Sequence, residues 1–509
     1  MVISILAFCC WLIAGFLAVK RFEKHLNFSV FLFFAAFGIS FGLSAIGPLF
    51  FPWDEQFHAL VAKNGMTDFF HPKLFSDEPL NLNYSWVNAT TWAHKQPFFT
   101  WLAVPFMKIF GVSALSYRLV YCLLFGFFPI VIFKILRHIF SEKVAFWSSF
   151  TAIHASFLLF LVNGIVATDQ NDFTFLFLIS LSFLFFLNWL KKPHFRWSFG
   201  IGLVVGFAVL TKWLVGVLVF APWLILIVKE LKNKDLLKTY ITHFLIAFSV
   251  ALCVVLPWQM YMYTHFQEVY IDEMNYNTRH FFEEIEGHGG DLFYHVTDVI
   301  NHIYIYGIIF WALFTFGLFK FWKDTTTQLK IVVLTPITAI YAFFTMATTK
   351  MPAFTLPVYV FMLGFAVNGF FYICSFLKFK RQQFVVITIG ALLLVAQLKP
   401  RYLMERNGFH NATDKGMKYN ERQQWVRFME QQPKDKKRVV FNVNFIDFAN
   451  INWMIFTDNI AYPHAPTQSQ IDDLIQKGYK PYFLLKGSDT LDTALKNIEV
   501  IQFSATSDL

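Results

Sequence analysis

Long apolar runs separated by short polar breaks fill the chain as far as Leu398, and a predominantly polar stretch follows. A helix that crosses lipid satisfies its own backbone hydrogen bonds and needs about 17 to 25 mostly apolar residues. On that measure the pattern predicts about twelve crossings. The opening run, Met1 to Val19, has no basic leader and no small-residue cleavage site, and Lys20, Arg21 and Lys24 follow it, so it reads as a retained helix. In the polar tail, Val439–Val443 and Tyr482–Leu485 have the pattern of strands, while Thr467–Lys477 and Thr490–Asn497 have that of helices. The expected fold is therefore an all-α polytopic membrane protein with a small C-terminal α/β soluble domain, divided as 1–398 and 399–509.

The polar breaks are not alike. Lys20/Arg21/Lys24, Lys134/Arg137/Lys143, Lys191/Lys192/Arg196, Lys229/Lys232/Lys234/Lys238, Lys320/Lys323/Lys330 and Lys378/Lys380/Arg381 are basic groups, which the positive-inside rule places in the cytoplasm. Each apolar stretch between two such groups crosses an even number of times, so its single interruption is an outer turn. That argument puts Lys212, the Asp169/Asp172 pair and Lys350 on the outer side, together with polar segments over about 52–97 and 258–302. The outer side would be the periplasmic face of a bacterial inner membrane.

Composition agrees with lipid as the solvent. Hydrophobic residues make up 56%, charged residues only 15%, and mean hydropathy is +0.50. A net charge of +9 suggests nucleic acid, but the basic residues sit in the short groups that orient helices, and that partner is set aside. All five cysteines lie inside apolar runs without metal-ligand spacing.

The unusual polar residues thus converge on one side. Asp54 and Glu55 follow a crossing directly; on a helix they point about 100° apart, so they have different tasks, and a shielded carboxylate suits a general base. His94 and Lys95 precede Pro97, a residue suited to a helix's first turn, where a phosphate is favoured. Lys95 would hold that phosphate, and His94 would donate a hydrogen bond or ligate a metal. Asp169 and Asp172, three apart, can share a helix face, and one of them can ligate a metal or orient an acceptor. Lys212 and Lys350 are lone cations between apolar runs and call for anionic partners. Arg279, in the acidic stretch Tyr270–Asp291, can grip a phosphate bidentately. Each segment alone also has a plain reading, as a helix cap, an interfacial anchor or a hydrated turn.

Taken in order, Asp54-Glu55, His94-Lys95-Gln96-Pro97, Leu210-Thr211-Lys212 and Lys350-Met351-Pro352-Ala353-Phe354 resemble the motifs of the GT-C membrane glycosyltransferases. The similarity is to the family of the lipid A aminoarabinose transferase and the protein O-mannosyltransferases, and it spans about residues 50–360. The resemblance implies Asp54 as base or acceptor-orienting group, and Lys95, Lys212, Arg279 and Lys350 as holders of a lipid phosphate. It further implies transfer of a sugar, with inversion, from a polyprenyl-phosphate donor to a glycolipid, glycan or protein acceptor. No cofactor is required, although Asp169 or His94 is compatible with a divalent metal. His94 and Phe354 depart from the aminoarabinose branch, which often has Glu and Tyr there. A transporter, or a protein that binds polyprenyl lipids without chemistry, is the alternative expectation.

Overall fold

The computed structural model describes residues 25–47, 49–50, 53–80, 86–165, 169–297, 303, 307–377, 388, 419–445, 448–487 and 494–504. Among them, seven helices are long and apolar enough to cross a membrane, or eight if the pair Glu142–Ile153 and Ser156–Val162, bent by 55°, is one broken span. The expected crossing at 1–19 lies outside the described residues, and so, apart from Thr388, does the end of the last apolar run near Leu398.

In chain order the bundle contains α1 (His25–Ile46), α2 (Asp54–Asn64), α3 (Phe98–Phe110), α4 (Ala114–Ile139), α5 (Glu142–Ile153) and α6 (Ser156–Val162). It continues through α7 (Gln170–Lys191), α8 (Phe195–Lys212), α9 (Phe220–Lys229), α10 (Lys234–His265) and α11 (Gln267–Phe282). Then come α12 (Gly307–Asp324), α13 (Thr327–Met346) and α14 (Tyr359–Cys374). Polar caps start these helices where the sequence breaks: Ser113 with Ser116 forms a capping box on α4, Asp169 caps α7, Asn233 caps α10 and Thr326 caps α13. Lys212 ends α8, and Lys350 falls between α13 and α14, as the charge pattern predicts.

With lipid as solvent the helices gain little by hiding apolar surface from one another, so close packing of small residues takes over. Gly317 on α12 and Gly369 on α14 show this: a Cβ on either would collide with a carbonyl oxygen of the facing helix, Phe365 O or Leu313 O. Asn368 adds a bond from its Nδ2 to Gly317 O at 3.1 Å.

The tail forms α15 (Tyr419–Glu430), β1 (Arg438–Phe441), α16 (Ala449–Phe456), β2 (Ile460–Ala461), α17 (Gln468–Gln476), β3 (Lys480–Lys486) and β4 (Glu499–Phe503). Its strands make a parallel sheet in the order β2-β1-β3-β4. The helix expected over Thr490–Asn497 falls partly outside the described residues, and 494–497 are not helical. This domain grips α2. Lys63 donates to Met454 O at 2.7 Å and to Thr457 O, and its Nζ lies 3.3 Å from Asp458. Phe448 packs edge-on against Trp53 and Phe57 with ring centroids 5.0 and 4.9 Å apart. The helix that begins with Asp54 is therefore fixed from outside the bundle.

Candidate active site

Asp54 opens the first turn of α2, half-buried, and its carboxylate makes no hydrogen bond or ion pair with any described residue. Burial pushes its carboxyl up to about 7, against the pull of Lys95 and His58, while Asp169 and Glu286 add to the rise. These named neighbours define the site, because each lies within electrostatic reach. His58 follows Asp54 by one helical turn and shares its face. Its Nδ1 meets Asp169 Oδ2 at 2.8 Å, and its Nε2 is buried without a hydrogen-bond partner among the described residues.

Lys95, half-buried, also makes no hydrogen bond or ion pair with a described residue. Next to it, His94 is buried, stacked on Trp86 with centroids 4.7 Å apart, and its Nδ1 lies 3.1 Å from Glu273 Oε2. Burial, helped by Lys95, lowers the imidazole to about 4. A neutral ring that donates Nδ1–H to Glu273 leaves the Nε2 lone pair as an acceptor. His94 is thus suited to receive a hydroxyl proton, not to hold a phosphate as a fixed cation. Tyr276 donates to Glu286 at 2.7 Å, and His280 has Lys95, Glu286, His94 and Lys212 within electrostatic reach.

Lys212 pairs with Asp172, and its ammonium also lies 5.3 Å from the centre of the Phe354 ring. The two aspartates at the start of α7 therefore serve different partners: Asp169 caps the helix and holds His58, while Asp172 holds Lys212. Asp54, His94, Lys95, Asp169 and Lys212 are brought together.

Three expected site residues are engaged elsewhere. Glu55, fully buried, receives Arg118 Nε at 2.5 Å and Nη2 at 2.6 Å, and Gln170 Nε2 at 2.9 Å. Arg118 also donates to Gly47 O and Leu49 O at 2.5 and 2.8 Å, which ties the chain entering α2 to α4. Gly164, at φ +63°, lets the backbone pass this pair, since a Cβ there would collide with the Glu55 carboxyl group. Both Glu55 oxygens are thus engaged by Arg118, and one of them by Gln170 as well. Lys350, 4% exposed, donates to Phe344 O and Thr345 O at 2.9 and 2.7 Å, capping the last turn of α13. Arg279 is exposed and pairs with Glu283 one turn away at 2.8 Å. A cation that caps a helix or answers a neighbouring glutamate is not poised for phosphate.

Removing one partner of a buried ion pair typically costs about 3–5 kcal/mol. Glu55→Ala is therefore expected to lower the unfolding midpoint of the purified protein clearly, and Glu55→Leu with Arg118→Met to recover most of it. Wild-type melting of Glu55→Ala together with lost activity would instead return Glu55 to the chemistry.

Among the described residues no three His, Cys, Asp or Glu side chains are arranged to hold a metal ion. Asp169 spends one oxygen on His58 and the other on the Asn171 amide.

Residues 94–261 match the model of the dolichyl-phosphate-mannose-protein mannosyltransferase family. No curated protein sequence matches the chain. Among solved structures it is similar to ArnT from Cupriavidus metallidurans bound to undecaprenyl phosphate, with a TM-score of 0.61 at 15% identity, over 89% of this chain and 88% of that one. It is also similar to the archaeal oligosaccharyltransferase AglB from Archaeoglobus fulgidus in complex with an inhibitory peptide and a dolichol-phosphate, with a TM-score of 0.59 at 13% identity, over 87% of this chain and 65% of that one. The chain therefore shares the fold of these two structures, an apolar helical bundle with an appended domain.

Proposed function

We propose that this protein moves a sugar from a polyprenyl-phosphate donor to a hydroxyl or amino group of a lipid, glycan or protein acceptor, on the outer face of the membrane. The observation that carries the reading is the Asp54 carboxylate, half-buried and unpaired among the described residues, within electrostatic reach of a Lys95 that is likewise unpaired among them. A base needs a free oxygen and a pKa near the working pH, and a departing phosphate needs a fixed cation.

In the proposed reaction Asp54 takes the acceptor proton as the acceptor atom bonds to the anomeric carbon. The bond from that carbon to the phosphate oxygen breaks, and its electron pair leaves with polyprenyl phosphate. Lys95 and Lys212 stabilise the added negative charge. One displacement inverts the anomeric configuration, and the proton on Asp54 passes to solvent afterwards. Asp169 and His58 hold the side of Asp54, while the neutral His94 accepts a sugar hydroxyl. The bilayer location suits a donor whose isoprenoid tail stays in lipid. ArnT, a protein of this fold, is bound to undecaprenyl phosphate in its crystal structure, which supports the donor class.

The pH profile tests Asp54. A base must be ionised, so activity is expected to fall as pH is lowered through about 7. Because Lys95 lowers the Asp54 pKa and Asp169 raises it, Lys95→Gln is expected to move this acidic limb to higher pH, and Asp169→Asn to lower pH. General damage to the site does not produce shifts of opposite sign. If both variants keep the wild-type limb, Asp54 is not the titrating base.

A further inference from the structure

Arg438, the first residue of β1, is 6% exposed, and its Nε and Nη1 are buried without a hydrogen-bond partner among the described residues. Its guanidinium lies over the Tyr482 ring, 4.0 Å from the centroid. A ring face offsets only part of what a guanidinium loses on leaving water; it supplies no acceptor for the N–H groups. The acid within electrostatic reach, Asp435, is committed elsewhere: Oδ1 accepts the Lys437 amide at 2.9 Å and Oδ2 accepts Lys480 Nζ at 3.2 Å.

More cations surround it. Lys434, Lys436 and Lys437 lie just before Arg438 in the chain, and Lys480 is its partner across the β1–β3 register. Lys437 and Lys480 are 53% and 64% exposed and face Asp77 at 4.0 Å and Asp435 at 3.2 Å, so with Lys434, Lys436 and Arg438 the cations outnumber these acids and this end of the sheet is net positive. Lys434 and Lys436 are also within electrostatic reach of Lys63, on the helix that begins with Asp54. The positive face therefore lies near the last turn of that helix, at the end away from Asp54.

We infer that Arg438, with Lys480 and the Lys434–Lys437 run, forms a binding site for an oxyanion of the phosphate or carboxylate type. An anion at the exposed edge of the guanidinium supplies the counter-charge that the fold leaves out, and the lysines raise its local concentration. Two sources carry this chemistry: an acidic group on the acceptor, or a small free anion. Assigning it to the acceptor rests on the proposed transfer reaction, whereas the site itself does not.

The test uses the purified full-length protein in detergent and follows its unfolding midpoint in inorganic phosphate against chloride at equal ionic strength and pH. Phosphate is expected to raise the wild-type midpoint in a concentration-dependent way. Arg438→Met is expected to lose that phosphate-specific rise and, without phosphate, to melt no lower than wild type, because it removes an uncompensated buried charge. Lys480→Ala, an exposed substitution that leaves the core intact, is expected to show a weaker phosphate response. Equal midpoints in phosphate and chloride for wild type, or an unchanged response in both variants, would overturn the site. In a transfer assay, a raised acceptor KM with unchanged kcat in Arg438→Met assigns the anion to the acceptor. An unchanged KM beside a lost phosphate response assigns it to a free ligand. Absence of transfer by wild type contradicts the proposed function and leaves the phosphate arm intact.

Discussion

Asp54→Asn is expected to lower kcat by about 10²–10⁴-fold, the range that a positioned general base supplies, with little change in donor binding. Asparagine keeps the shape of the side chain and removes its basicity. The carboxylate has no hydrogen bond with a described residue, so the substitution orphans no partner, and the unfolding midpoint should be nearly unchanged. The raised pKa also means that folding holds Asp54 against the cost of burial, so loss of its charge relieves strain on the native state. Activity lost at wild-type stability is the signature of chemistry. The reverse pattern, a destabilised protein with normal turnover per folded molecule, would make Asp54 a structural cap of α2.

Lys95→Ala carries the second large effect. Removing one fixed group that stabilises developing charge costs about 10²–10³-fold in kcat, and Lys95 has no hydrogen-bonded or ionic partner to lose among the described residues. Arg279→Ala is the internal control. Its pair with Glu283, one helical turn away, is exposed and screened by solvent, and kcat is expected to stay within about twofold of wild type. Single-turnover kinetics with a polyprenyl-phosphate sugar separates these effects from donor binding. Equal losses in Lys95→Ala and Arg279→Ala would show that general surface charge, not a placed cation, supports the reaction. Lys212→Ala is a poorer probe, since it leaves Asp172 buried without its partner.

The fold was largely legible because its rules are strong. Apolar runs must become helices in lipid, and the basic groups assign parity, so Asp169, Asp172, Lys212 and Lys350 fall at the element ends where the pattern puts them. The strands at Val439 and Tyr482 were readable from their β-rich alternation, although their parallel order was not. The pairings were hidden because they join distant residues: Glu55 to Arg118, His58 to Asp169, Asp172 to Lys212 and His94 to Glu273. Periodicity within one helix carries no information about which helix stands opposite. Two signals were nonetheless present. Arg118 interrupts an apolar run and is costly there without a partner, and His58 follows Asp54 at the spacing of one turn. Lys350 is the converse case: a lone cation beside an apolar run signals a need for acceptors, and two backbone carbonyls meet that need as well as a phosphate.

Sugar transfer with Asp54 as its base is decided by incubating the purified protein with radiolabelled sugar on a polyprenyl-phosphate donor and a membrane extract as acceptor, comparing wild type with Asp54→Asn. Label moving to an acceptor, with release of one polyprenyl phosphate per sugar in wild type and not in Asp54→Asn, is the predicted result. No transfer from any polyprenyl-phosphate donor by a folded wild-type protein would contradict a transferase and leave lipid binding or transport as the function of this site.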